Sequence, residues 1–255
     1  MKKIVIFIIL FIAIERFTYL HTGGFTPYKL LCSEERLIYP DNQEDVENEK
    51  ILNQSFYYLD KGVQFFAFIS EDNQYVLKFI KHHRSSPSSW FHSDKSFLRL
   101  QKIINSCDIA YHYLKNETGL ISLHLKPNPL KPRPFLLVDN LGIGHTINLN
   151  ATSYILQKRA EDVTDRALTI QDVNGLVTVI TKRHLQGICN EDPRLRNFGF
   201  DGDRAIEIDL GSFIQQEKES SLQEALQRET QELKVWLDKY DSNLSHYLSE
   251  KIQEA

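Results

Sequence analysis

The sequence predicts an α+β fold in which a short antiparallel meander leads into a long helix, a second set of strands and a helical tail. Three observations predict it. Residues 56–59, 64–69 and 74–80 are short aromatic and β-branched runs, separated by the turn-forming stretches Asp60-Lys61-Gly62 and Ser70-Glu71-Asp72-Asn73. Phe97, Leu100, Ile103, Ile104, Cys107, Ala110, Tyr111 and Leu114 recur at three- and four-residue steps, the period of an amphipathic helix. From Ser221, which forms a capping-box pattern with Glu224, Leu222, Leu226, Leu233, Leu237, Leu244, Leu248 and Ile252 supply the apolar face of further helix.

Ahead of the meander, Lys2-Lys3 and the unbroken apolar run 4–14 have the form of a secretory signal or a short signal anchor. The run is shorter than the ~20 residues that cross a bilayer as a helix, and Glu15-Arg16 interrupts it. No small-x-small cleavage site follows, so residues 1–20 are expected to be an uncleaved anchor with the rest of the chain outside, following the positive-inside tendency. The alternative is a buried N-terminal element of a cytoplasmic protein. Residues 21–54, rich in acids such as Glu34, Glu35, Asp41, Glu44 and Asp45, are expected to be a linker, and the folded domain is placed at 55–255.

After a loop at 85–89 and the long helix, residues 121–125, 135–138, 145–149 and 154–157 are expected strands, punctuated by prolines 127, 129, 132 and 134. Val173, Leu176, Val177, Ile180, His184 and Ile188 mark another helix, with Gly187 as its stop signal. Residues 197–200 and 203–208 are expected to pair around Asp201-Gly202, a dipeptide that suits a tight hairpin.

Composition narrows the function. A net charge of -4 and a pI near 6.1, without a basic and aromatic patch, argue against a nucleic-acid surface. Cys32, Cys107 and Cys189 lack the spacing of a disulfide framework or zinc site, although two of them could pair in an oxidising compartment. The pair His82-His83 carries no H-E-x-x-H pattern, and no G-x-S-x-G marks a hydrolase.

One stretch carries chemistry. Asp192 and Asn197 stand with four residues between them in Asn190-Glu191-Asp192-Pro193-Arg194-Leu195-Arg196-Asn197, and Asp209-Leu210-Gly211 follows the hairpin. An Asn and an Asp at the two ends of one hairpin can converge on Mg²⁺, which prefers hard oxygen ligands. In residue type, order and spacing the stretch resembles the protein-kinase-like superfamily, with its D-x-x-x-x-N catalytic loop and D-x-G turn. The resemblance covers roughly residues 55–213 and implies a bilobed kinase-like fold with an antiparallel N-lobe sheet and a reduced helical C-lobe. It also implies ATP and Mg²⁺ as cofactors. Asp192 would be the catalytic base, Asn197 and Asp209 the metal ligands, and Lys78 the lysine of the third strand that neutralises phosphates. Gly62 would be the remnant of the phosphate-covering loop, and Gln157 would lie where the strand runs into the hinge.

The sequence departs from that pattern in ways that bear on function. The glycine-rich loop is reduced to Gly62, and Asn190-Glu191 replaces the usual His-Arg before Asp192. The helix that should supply a Glu partner for Lys78 offers Asp108, or Glu117 near its end. No A-P-E follows Asp209, and about 40 residues remain, too few for a protein-binding helical lobe. A membrane-tethered pseudokinase that binds a protein partner is therefore the alternative to a phosphotransferase of unassigned acceptor. Gly142 and Gly144 read as turn residues, because only 34 positions separate Lys158 from Asp192.

Overall fold

Residues 2–32, 36–42, 46–82, 93–215 and 221–255 are described in a computed structural model. The loop expected at 85–89, His83 and the linker acids Glu34, Glu35, Glu44 and Asp45 lie outside them. Helix α1 (Lys2–His21) continues through Glu15 and Arg16, so the charged pair does not end it as the apolar run alone implied. Its residues Ile4–His21 are exposed, and the helix is long and apolar enough to cross a membrane or to serve as a signal. Beyond it, a 3-10 turn at Pro27–Leu30 and helix α2 (Val46–Ile51) interrupt the stretch expected to be a linker, and Phe25, Leu30, Ile51 and Leu52 are buried there.

The chain divides into two compact units, Met1–Phe97 with His124–Leu156, and Leu98–Leu123 with Gln157–Ala255. The first holds β1 (Phe56–Lys61), β2 (Phe65–Ser70), β3 (Tyr75–Ile80), β5 (Pro134–Val138), β6 (Gly144–Asn148) and the start of β7 (Tyr154–Lys158), while β4 (Leu120–His124) contributes only its last residue to it. Their order in the sheet is β4-β7-β3-β2-β1-β5-β6. The expected meander is present, and β1 pairs β5 in parallel. β4 reaches this unit with His124, whose ring stacks on Tyr154 at 4.7 Å. The core is aromatic: Phe25 meets Phe66 and Phe68 edge-on at 5.3 and 5.1 Å, and Phe68 meets Phe79 at 5.7 Å. The glycines of 141–145 form the expected turn, held by Asp139, whose carboxylate accepts from the Leu141 and Ile143 amides and contacts His145 Nε2 at 2.7 Å.

The long helix α3 (Ser93–Tyr113) runs into the second unit, where the other helices are α4 (Ile170–Leu185), α5 (Leu222–Glu229), α6 (Gln231–Tyr240) and α7 (Ser242–Gln253). Strands β8 (Glu161–Asp162), β10 (Phe198–Asp201) and β11 (Arg204–Glu207) form one small sheet, and β9 (Ile188–Asn190) pairs β12 (Phe213–Gln215). Its core joins Val173, Leu176 and Ile180 of α4 to Phe198, Phe200 and the tail leucines 226, 233, 237, 244 and 248. The tail is helical as expected and consists of three helices. α5 starts at the Ser221–Glu224 capping box, and α7 starts where Asp241 accepts from the Asn243 and Leu244 amides. α4 begins earlier than the apolar pattern indicated, at a second capping box between Thr169 and Asp172, and Ile188 belongs to β9 and not to the helix.

The hairpin is shifted by one residue from expectation. Asp201 pairs Arg204, so Gly202 and Asp203 are the central residues, and only Gly202, at φ 63, takes the left-handed conformation. That is the requirement of a type II′ turn, with glycine first. Gly199 is needed for another reason: a Cβ there would lie 2.7 Å from the Glu161 carbonyl, so only glycine lets β10 approach β8. Among the described residues Cys32, Cys107 and Cys189 form no disulfide.

Candidate functional site

In the second unit, the segment from Asn190 to Gly211 is held from several sides by hydrogen bonds. The Asp192 amide donates to Asn190 Oδ1 at 2.8 Å, and Asn190 Nδ2 donates to Glu207 Oε1 at 3.1 Å. Asn197 Nδ2 donates to the Asp192 carbonyl at 2.8 Å, which leaves the amide oxygen as the acceptor end of that side chain. The Ile208 amide donates to the Asn197 carbonyl at 2.7 Å, closing the hairpin one residue before Asp209. Asp209 Oδ1 accepts from the Gly211 amide at 3.0 Å. Asp192, Asn197 and Asp209 are thus brought onto one bonded frame.

Two anchors stabilise that frame. Ser106 of α3 donates to the Leu210 carbonyl and accepts from the Phe213 amide, both at 2.6 Å, which fixes the Asp209-Leu210-Gly211 turn to a helix. Arg183 of α4 is fully buried, with Nε 2.9 Å from Glu207 Oε2 and Nη2 bonded to Glu229 of α5. Burial pushes the Glu207 carboxyl above the usual range even though Arg183 and Asn190 hold it. Burial also works against the Arg183 charge, but the two carboxylates outweigh it and raise its pKa. A continuous relay therefore runs from Arg183 through Glu207 and Asn190 to the Asp192 amide.

Asp192 is half-exposed, and its Oδ1 accepts from Arg194 Nε at 2.6 Å. Among the described residues no three His, Cys, Asp or Glu side chains gather to hold a metal ion by themselves. Magnesium needs less protein, since one or two oxygen side chains and the substrate's phosphates commonly complete its shell. Asn197 and Asp209 fit that donor set. Gln157, also in this unit, donates from Nε2 to the Thr118 carbonyl at 2.9 Å, and its Oε1 is buried. Asp108 contacts His112 at 3.3 Å and Glu117 contacts Lys182 at 3.1 Å.

In the first unit, Lys78 lies half-buried on β3 and is register-paired with Ala67, the smallest side chain of β2. Alternation places Leu77 and Phe79 on the other face, with Phe66 and Phe68 in the aromatic core. Gly62 closes the β1–β2 turn, its amide donating to the Phe65 carbonyl at 3.0 Å and its carbonyl accepting from Lys81 Nζ at 2.6 Å. Sequence reading missed Arg183, Glu207, Glu229, Asn190 and Ser106. Two of them left a signal: Arg183 falls three residues after Ile180 on the apolar stripe of α4, and Glu207 interrupts the apolar run Ala205-Ile206-Ile208.

Solved structures of WbdD are similar to this chain. One high-resolution structure aligns at a TM-score of 0.43 with 16% identity, covering 77% of this chain and 45% of that chain. A structure described as the bifunctional kinase-methyltransferase WbdD aligns at 0.40 with 16% identity, over 75% and 43%. A co-crystal of WbdD with a kinase inhibitor aligns at 0.42 with 16% identity, over 77% and 45%. The chain spans less than half the length of these proteins, and the likeness is one of α+β fold. No family model and no curated protein matches the chain.

Proposed function

We propose that the chain is a kinase-like phosphotransferase domain that uses ATP and Mg²⁺ to phosphorylate an acceptor hydroxyl. One observation carries the reading. Asn197 and Asp209 flank one hydrogen-bonded hairpin while the Asn197 amide also ties down Asp192, in the residue order of the kinase-like superfamily. Asn197 and Asp209 would hold Mg²⁺, which supplies neutralisation of phosphate charge when bound. By the resemblance, Lys78 and the backbone at Gly62 would serve the phosphates and Gln157 would serve the base. The acceptor oxygen attacks the γ-phosphorus as the bond to the β–γ bridging oxygen breaks; its proton passes to Asp192 and nucleoside diphosphate leaves.

Lys78→Ala is expected to lower nucleotide affinity, whereas Asp192→Ala should leave it nearly unchanged and slow transfer by about 10² to 10⁴. Transfer at the wild-type rate in Asp192→Ala contradicts the mechanism. A second reading, a pseudokinase that acts as a binding module for a protein partner, is favoured by the Arg194 guanidinium already paired with Asp192 and by the single glycine of the first turn. Nucleotide binding without transfer to any acceptor would select it.

α1 is read as a membrane anchor or export signal. A reporter enzyme that works only after export, fused after Ala255, is expected to be active; activity confined to the cytoplasm contradicts the reading.

A further inference from the structure

The second unit contains a cavity of about 370 Å³ whose lining residue Arg194 donates from Nε to Asp192 Oδ1 at 2.6 Å. Its walls come from Arg194 and Arg196 of the loop that follows Asp192, from Asp162 and Thr164 at the end of β8, and from Glu232 in the first turn of α6. The volume falls within the ~300–1,000 Å³ range of small-molecule sites. It is too small for an extended polypeptide and has no aromatic wall on which a nucleobase would stack.

The charged part of the lining, which stands beside Val163 and Leu195, is balanced in sign. Arginines offer only donors and carboxylates only acceptors, so two of each around one space serve a ligand that both donates and accepts at many points. An anion would meet Asp162 and Glu232, and a cation would meet Arg194 and Arg196. Neutral hydroxyls suit both sets. The shape is also supported: Glu232 Oε2 accepts from the Leu195 amide at 2.9 Å, which ties the loop to α6. Arg196 and Thr164 make no hydrogen bond or ion pair among the described residues, so both have their polar atoms available.

We infer that this cavity is the acceptor site and that the acceptor is a small neutral polyol of the sugar or cyclitol class, one hydroxyl of which reaches Asp192. The inference rests on the phosphotransferase reading, and the test keeps the two separable. Full-length protein in a non-glycosidic detergent is titrated with hexoses, a heptose and myo-inositol, followed by saturation-transfer NMR, and separately with ATP and Mg²⁺. Sugar phosphates serve as the anionic comparison.

The expected result is saturable binding of at least one neutral polyol. Arg196→Ala should weaken it about tenfold or more, the loss of one charge-assisted hydrogen bond, with nucleotide affinity kept. Thr164→Val, which preserves shape, should weaken it less. Three outcomes overturn the inference: no polyol binds, binding is unchanged in both variants, or only the phosphorylated sugars bind. If a polyol binds at this cavity while ATP does not, the site assignment stands and the phosphotransferase reading falls.

Discussion

Lys78 and Asp192 are held by different physics. Around Lys78 the first unit surrounds β3 with Phe66, Phe68, Leu77 and Phe79, an apolar core whose favourable term is burial and whose polar demands are small. Beneath Asp192 the second unit places a buried guanidinium between two buried carboxylates and passes the constraint on through Asn190. Such a cluster is weak as a source of stability, because desolvating three charges offsets most of their attraction. What it provides is direction: each bond has one geometry, so the Asp192 amide and the strand leading to Asp209 are set together. An apolar core tolerates a change of shape, and a charged relay does not tolerate the loss of a partner.

The largest expected effect tests that contrast directly. Arg183→Met leaves Glu207 and Glu229 buried without their cation and should cost about 3–5 kcal/mol in urea denaturation. Leu77→Met, equally buried but conserving volume and polarity, should cost less than about 1.5 kcal/mol. Equal costs would break the comparison.

A smaller effect, of opposite sign in the two units, comes from pH. Burial raises the pKa of Asp139, but the His145 ring and the Ile143 and Leu141 amides outweigh it and hold the carboxyl below its usual value. Its stabilising contribution is therefore present above the ordinary Asp range near pH 4 and lost as pH falls through the depressed folded value. Glu207 is held above its usual value, so the folded state keeps that proton longer than the unfolded chain does. Its contribution declines as pH rises from the ordinary Glu range towards the raised folded value. Asp139→Asn should flatten the acid side of the stability profile, and Glu207→Gln should gain on wild type as pH rises. Parallel profiles for the two variants would show that these groups do not titrate as the geometry requires.

What the sequence revealed follows from range. The meander, the long helix, the Ser221 cap and the hairpin depend on neighbours within a few residues, and each formed within about four residues of its expected place. The Asp192, Asn197 and Asp209 pattern was legible for the same reason, since one short hairpin sets its spacing. Arg183 and Glu229 are 46 residues apart and meet only after α4 and α5 have packed, so no local period announces the pair. The β9–β12 pairing, which returns the chain after Asp209 to the strand before Asp192, is likewise a tertiary event between two three-residue strands too short to show alternation. The one-residue shift of the hairpin has a simpler cause. Asp-Gly and Gly-Asp are both good turn pairs, and Gly202 belongs to each.

The central claim is that the frame around Asp192, Asn197 and Asp209 binds a metal nucleotide, and a thermal-shift titration of the full chain with ATP, with and without Mg²⁺, tests it most directly. The account predicts Mg²⁺-dependent stabilisation, about 2.7 kcal/mol when ligand stands at 100 times its dissociation constant, and its loss or weakening in Asp209→Asn with the unliganded melting temperature preserved. No stabilisation of the wild type at saturating Mg²⁺ and ATP, or equal stabilisation of wild type and Asp209→Asn, would contradict it.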